Sequence, residues 1–378
     1  MEAPSDSRAA AALLPPPSDV GLHKPPAAEL VVDDHRRKPD ILIIYTGGTL
    51  GMKKDEAGSL RPVRGYLNSQ LAAIEATKDP RVPTFDIINF DPPIDSSDME
   101  PADWISIATV IEKNYWDYQG FLIIHGTDTM SYTASALSFM LENLGKIVVL
   151  TGSQIPLENS ITDARRNLIA SMIIAKEVDM PEVVIFFNNK ILRGNRSTKA
   201  DNWGVAAFES PNYPPLGVLG VDIHIDYQFV ASPPKGRFRV WKNFNTRVAV
   251  LHLVPGFDVK AVENLLLPPL EGLIVKSYGS GNAPSRKRDL INALQKAIQR
   301  GVVVIITSQC YKGRVRRADY ETSLGTSGAI IGCDMTTEAA VTKLAYLLGK
   351  GYPRETVRQL MLDSLRGELT VEEAKAQL

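Results

Sequence analysis

Residues 120–129 read Gly120-Phe-Leu-Ile-Ile-His-Gly-Thr-Asp-Thr129: four apolar residues in succession, then a histidine, a glycine and three polar residues. A strand that is apolar at every position, rather than at every second one, has both faces covered, as in a parallel sheet between layers of helices. The same pattern recurs at Ile41-Leu-Ile-Ile-Tyr45, Ile147-Val-Val-Leu150, Val183-Val-Ile-Phe-Phe187, Val248-Ala-Val-Leu251, Leu273-Ile-Val275 and Val302-Val-Val-Ile-Ile306. Amphipathic stretches between these runs predict helices at about 102–114, 131–144, 162–177, 259–268, 285–299, 337–348 and 354–364. The expected fold class is α/β, with largely parallel sheets.

At 378 residues the chain exceeds the usual ~150-residue domain, so two domains are expected. Hydrophobic residues make up 44% and charged residues 22%, the balance of a globular protein with a sizeable core. Lys plus Arg total 42 against 43 Asp plus Glu, so no global positive field favours nucleic acid or an anionic membrane. The expected partner is a small molecule. Two cysteines, Cys310 and Cys333, and five histidines show no zinc, redox or metal-ligand spacing, and no metal is expected. No apolar run reaches the ~18 residues of a membrane span, and Met1-Glu-Ala-Pro-Ser-Asp lacks the basic start of a secretory signal. The expected location is cytoplasmic.

Residues 1–39 carry seven prolines and little periodic apolar pattern, which predicts a disordered tail. The first α/β domain is expected over 40–228. Prolines at 211, 214, 215, 233 and 234 mark a connection without a clear helix, with a linker over 229–246. A second domain over 247–366 and a C-terminal tail over 367–378 complete the organisation.

Three strands end in hydroxyl-rich turns that contain glycine: Thr46-Gly-Gly-Thr49, His125-Gly-Thr-Asp-Thr129 and Thr151-Gly-Ser-Gln154. Ligands of parallel sheets bind at the carboxyl ends of strands, so these turns should converge. Thr46–Thr49 alone is compatible with a plain turn or with a hydroxyl nucleophile; neither phosphate-binding glycine pattern is present. Asp128 could cap the following helix or hold a substrate ammonium, and His125 reads as a packed core histidine. Without a histidine base, a partly desolvated lysine can take the proton of a hydroxyl nucleophile. Lys190 and Lys199 are both candidates, and spacing does not choose between them.

Six motifs, in order, resemble the bacterial-type L-asparaginases, in particular the cytosolic type I branch and the asparaginase domain of animal enzymes also described as lysophospholipases. They are Tyr45-Thr-Gly-Gly-Thr-Leu-Gly51, Asp95-Ser-Ser-Asp-Met99, Gly120–Thr129, Thr151-Gly-Ser-Gln-Ile-Pro156, Phe187–Lys199 and Asp334-Met-Thr-Thr-Glu338. The resemblance implies a larger N-terminal α/β domain with a mostly parallel sheet and a smaller flavodoxin-like C-terminal domain. It also implies a homodimer or homotetramer whose active sites combine residues of neighbouring subunits. By motif, Thr49 corresponds to the nucleophile and Thr127, Asp128 and Lys199 to the group beside it, which selects Lys199 over Lys190. Asp95 and Ser96 correspond to residues that hold the substrate amino acid, with Asp128 sharing the ammonium, and Asn282 to one reaching a neighbour's site.

The sequence departs from the family where many members carry a loop tyrosine about ten residues after the nucleophile; here Gly58-Ser-Leu60 occupies that position. Tyr320 in Ala318-Asp-Tyr320 resembles the tyrosine that mammalian-like members use instead; a structural tyrosine is the alternative, and Tyr66 has the wrong offset. Thr307-Ser-Gln-Cys310 resembles the strand end where some type I enzymes bind asparagine as an activator, which makes Cys310 a candidate allosteric residue. The implied reaction is hydrolysis of L-asparagine to L-aspartate and ammonia through a β-aspartyl threonine ester, with no cofactor. The alternatives are a mixed glutaminase-asparaginase and an amino-acid-binding protein without turnover.

Overall fold

The computed structural model describes residues 27–31, 39–54, 58, 60–63, 65–75, 79–284, 286, 288–315 and 324–371. Its principal strands are β1 (Ala27–Val31), β2 (Ile41–Tyr45), β3 (Phe85–Asp91), β4 (Gly120–Ile124), β5 (Val148–Thr151), β6 (Val183–Phe187) and β7 (Lys190–Arg193), followed by β8 (Thr198–Lys199), β9 (Phe208–Glu209), β10 (Gly217–Leu219) and β11 (Ile223–Ile225); Met52–Lys54 with Leu60–Pro62 and Leu141–Glu142 with Arg239–Val240 form two small separate pairs. A second set comprises β12 (Val248–His252), β13 (Gly272–Ser277), β14 (Val303–Ser308) and β15 (Ile330–Ile331). The helices are α1 (Tyr66–Glu75), α2 (Pro101–Asn114), α3 (Met130–Met140), α4 (Ala164–Glu177), α5 (Val259–Leu265), α6 (Arg288–Gln299), α7 (Thr337–Gly349) and α8 (Arg354–Leu362).

The large sheet runs β1-β3-β2-β4-β5-β6-β7-β10-β11, and β3, β2, β4, β5 and β6 are mutually parallel. Alternate residues of each inner strand supply two cores. Leu42, Ile44, Phe121 and Ile123 pack with Trp104 and Ile107 of α2 and Leu137 of α3. Ile41, Ile43, Leu122 and Ile124 pack with Leu71 of α1 and Leu168 of α4 on the other face. Full burial of each such side chain contributes about 1.5–3 kcal/mol, which is why these core positions are apolar. The second sheet, β12-β13-β14-β15, is wholly parallel, with α5 and α6 on one face and α7 and α8 on the other.

From β2 the chain moves to β3 on one side, then crosses to β4 on the other and continues outward to β5 and β6. This reversal makes the carboxyl ends of β2 and β4 the switch point of the sheet, where a crevice opens.

Several elements went unanticipated, among them β3, helix α1 and the short strands β1, β7 to β11 and β15. Phe85-Asp-Ile-Ile-Asn-Phe-Asp91 is a strand interrupted by polar side chains, because it lies one strand from the sheet edge and Asp86 accepts a 2.6 Å bond from the Tyr118 hydroxyl. Helix α1 was also not foreseen. The expected helix to residue 144 stops at Met140, since Leu141–Glu142 pairs as a strand with Arg239–Val240 inside the expected linker. Parts of both expected tails are among the described residues. Ala27–Val31 forms an edge strand, Ala27 opposite Asp91 and Val31 opposite Ile87, which satisfies the backbone groups of β3. In the C-terminal tail, Glu368 and Leu369 are buried. The rest of 1–39, apart from Pro39, and residues 372–378 lie outside the described residues.

Candidate active site

The turn after β2 is built from two glycines with positive φ, Gly47 at 136° and Gly48 at 94°. A Cβ on Gly47 would lie 2.2 Å from the Ile94 carbonyl oxygen, and one on Gly48 would lie 2.6 Å from both Gly126 N and Cα. Only a residue without a side chain fits either position. These contacts press Thr46–Thr49 against the turn after β4, so Thr49 and Thr127 each stand one residue from the Gly48–Gly126 contact. Thr46 is held to the strand end, its hydroxyl donating to Ile124 O at 3.0 Å, and is unavailable as the nucleophile.

The third expected turn joins them: His125 N donates to Thr151 O at 2.9 Å, and the Thr127 hydroxyl donates to Gln154 Oε1 at 3.2 Å. A fourth arrives from β3. Ser96 is buried, its Oγ accepts from Asp128 N at 3.3 Å, and its carbonyl accepts from the Thr129 hydroxyl at 2.6 Å. Asp95 is exposed beside it and caps the short Ser96–Asp98 turn, Oδ1 accepting from Ser97 N and Oγ, both at 2.9 Å.

Lys199 enters from β8. Its Nζ donates to Thr127 Oγ1 at 2.8 Å and to Asp128 Oδ1 at 2.7 Å. Asp128 therefore does not cap α3, whose N-cap residue, Thr129, makes no side-chain capping bond. The lysine side chain is 18% exposed and the aspartate 63%, so the charged pair faces the crevice with its carboxylate toward solvent. Thr127 receives a lysine donor and passes its own proton toward Gln154, whose Nε2 donates to Gly204 O at 3.3 Å. An amide carbonyl delivered above Thr49 or Thr127 would meet a hydroxyl nucleophile, an adjacent amine for proton transfer and a carboxylate for an α-ammonium group.

Two further side chains near the site serve structure. His125 is buried, accepts from the Thr133 hydroxyl at Nε2 (2.9 Å) and donates from Nδ1 to Gly126 O (2.6 Å); desolvation pushes its pKa down to about 4 and keeps it neutral. Tyr45, whose ring abuts Gly51, is raised to about 12 by burial and is a poor base at neutral pH.

The structure thus brings together Thr49, Thr127, Asp128, Lys199, Asp95 and Ser96. Asn282 lies in the C-terminal domain, in the turn after β13, where its backbone pairs with Tyr278. Cys310 is exposed after β14 and lines a cavity of about 180 Å³ together with Thr198, Lys276, Cys333 and Glu338. Tyr320 lies outside the described residues. Gln154 was missed as a contact of Thr127, although its position directly after a strand and glycine turn was visible. Glu338 was missed as well: an acid in the first turn of α7 looks like a solvated helix-end charge, yet it is buried and accepts from the Thr198 hydroxyl at 2.7 Å. Burial raises its pKa, opposed by that hydroxyl, its own backbone and Lys276. Among the described residues no group of three or more His, Cys, Asp and Glu side chains is placed to hold a metal ion, and no helix is long and apolar enough to cross a membrane.

A family model described as asparaginase, N-terminal, matches residues 40–231, and one described as glutaminase/asparaginase C-terminal domain matches residues 247–361. The chain is 46% identical over 340 residues to L-asparaginase 1 of Escherichia coli (strain K12), covering 88% of this chain and 99% of that protein. It is 40% identical over 356 residues to the 60 kDa lysophospholipase of Mus musculus, covering 88% of this chain but 62% of the mouse protein. The crystal structure of L-asparaginase I from Vibrio cholerae O1 biovar eltor str. N16961 superposes with a TM-score of 0.82 at 44% identity, covering 89% of this chain and 100% of that one.

Proposed function

The chain belongs to the asparaginase family, and from that premise we propose that it hydrolyses L-asparagine to L-aspartate and ammonia with Thr49 as nucleophile. The observation that carries the residue roles is the pair of bonds from Lys199 Nζ to Thr127 Oγ1 and Asp128 Oδ1, beside the glycine turn that presents Thr49. Asp95, Ser96 and Asp128 hold the α-amino and α-carboxylate groups of the substrate. Thr49 Oγ attacks the side-chain amide carbon, its proton leaving through Tyr320 or through Thr127 and Lys199. Backbone N–H groups of the converging turns stabilise the oxyanion, and the protonated amine departs as ammonia. Thr127 and Lys199 then activate the water that cleaves the β-aspartyl ester.

Ammonia release from L-asparagine and from L-glutamine, compared for wild type, Thr49→Val and Lys199→Met, tests the reading. Asparagine turnover by wild type and its loss in both variants is the expected result. Glutamine turnover at a comparable kcat/KM would make the enzyme a mixed glutaminase-asparaginase, since one methylene is worth only about 1–3 kcal/mol of discrimination. Folded wild-type protein that binds aspartate and releases no ammonia would leave an amino-acid-binding protein. Tyr320→Phe tests the tyrosine role in the same assay.

The proposal includes a cytoplasmic homodimer or homotetramer in which Asn282 completes a neighbouring subunit's site. It also includes an effector role for the cavity at Cys310, because Thr198 lines that cavity and is the residue next to Lys199. A sigmoidal dependence of rate on asparagine that becomes hyperbolic in Cys310→Ser would support the effector role.

A further inference from the structure

Lys199 is carried on a very short piece of chain. Residues Gly194–Arg196 form a single 3-10 turn, tied by Ser197 Oγ donating to Arg193 O at 2.7 Å, and Thr198–Lys199 pairs antiparallel with Phe208–Glu209. Two residues, Ser197 and Thr198, separate Arg196 from Lys199, so a displacement of the arginine is passed to the lysine with little chain between them to absorb it.

Arg196 is 2% exposed, and its guanidinium is spent on the far end of the chain. Nε donates to Gly367 O at 2.7 Å, Nη2 to Thr370 Oγ1 at 3.1 Å and Nη1 to Asp334 Oδ2 at 2.9 Å. Asp334 fixes the same segment, accepting from Thr370 N at 2.8 Å and from Thr370 Oγ1 at 2.6 Å. The neighbours of Arg196 repeat the pattern: Asn195 Nδ2 donates to Arg366 O at 2.9 Å and Arg193 Nη1 to Gly367 O at 3.4 Å. The segment is anchored from the other side as well. Glu368 accepts from Leu365 N and Arg366 N and pairs at 2.6 Å with Lys343, both side chains fully buried, while Leu369 joins the core beneath α7 and α8.

We propose that residues 366–370 are a strap that positions Lys199, acting through Arg196 and Thr370. The strap grips Arg193, Asn195 and Arg196, in and beside the turn that launches the lysine, and it is itself locked to the C-terminal domain by Lys343 and Asp334. Planar, forked hydrogen bonding by a buried guanidinium fixes direction as well as distance, which a flexible ammonium does not do. Arg196 and Thr370 are positioning residues, and neither touches the Thr127–Asp128 pair in the contacts above. The proposal rests on the reading of Lys199 as the partner of Thr127.

The test measures kcat and KM for asparagine, with thermal melts, on wild type, Thr370→Val, Thr370→Ser, Arg196→Lys, Lys199→Met and the Lys199→Met/Thr370→Val pair. Thr370→Val and Arg196→Lys are expected to lower kcat on the order of tenfold with KM within about twofold, the signature of a displaced catalytic group under intact binding. Thr370→Ser, which keeps the hydroxyl, restores turnover and serves as the folded reference if Thr370→Val does not fold. In the Lys199→Met background, Thr370→Val lowers the residual rate no further. A folded Thr370→Val or Arg196→Lys enzyme with wild-type kcat overturns the proposal, as does an equal loss in the two lysine backgrounds. Wild-type turnover by Lys199→Met alone would instead remove the lysine reading on which the strap depends.

Discussion

The Thr198 hydroxyl donates a 2.7 Å hydrogen bond to Glu338 Oε1, tying the residue next to Lys199 to the first turn of a helix in the other domain. The carboxyl is buried, and burial raises its pKa above the ordinary 4.5. A raised acid pKa means the folded state binds more protons than the unfolded one between the two values, so stability falls as pH rises through that window. Glu338→Gln keeps the acceptor for Thr198 and removes the titration. Urea unfolding midpoints at about pH 5 and about pH 8 should show the variant gaining on wild type at the higher pH. A constant gap would rule out Glu338 as the source of the dependence.

His125 has the opposite sign. Its folded pKa, lowered to about 4 from 6.5 by desolvation, leaves the unfolded chain binding more protons between those values. Stability is therefore complete above pH 6.5 and is lost as pH falls toward 4, by roughly 3 kcal/mol for the full shift. Trp104 Nε1 donates to Thr133 Oγ1 at 3.0 Å, and the Thr133 hydroxyl donates in turn to the neutral His125 Nε2 at 2.9 Å. Denaturant unfolding across this range should show a steeper acid loss for wild type than for His125→Gln.

The Lys343–Glu368 pair is fully buried on both sides. Removing one partner strands the other charge, and Glu368→Ala is expected to cost about 3–5 kcal/mol. Lys343→Met/Glu368→Leu removes both charges and should recover most of that loss. Chemical denaturation of the single and double variants checks the ordering.

Gly48 and Gly58 both have positive φ, 94° and 82°, yet only Gly48 has backbone atoms where a Cβ would go. Gly58→Ala should cost about 1 kcal/mol of stability and leave turnover near wild type. Gly48→Ala must push the Thr49 turn away from Gly126, with an expected fall in kcat of at least about a hundredfold. Steady-state kinetics and melts on the two variants separate a general glycine effect from the specific contact.

The sequence by itself determined the layers and the place of the chemistry. Fully apolar strands such as Ile41–Tyr45 and Gly120–Ile124 can be buried only between helices, and hydroxyl residues beside glycine at their ends leave few other places for a site. Strand Phe85–Asp91 escaped because its polar positions break the apolar run, and no local pattern reports the neighbours that satisfy them. The choice between Lys190 and Lys199 rested on resemblance, since spacing says nothing about which ammonium reaches a threonine 72 residues away. Tertiary structure decided that choice of contact, the Gln154 bond to Thr127, the burial of Glu338 and the packing of residues read as a tail. Each depends on groups far apart in the chain meeting with water excluded, and burial and hydrogen-bond partners exist only once both sides have folded together.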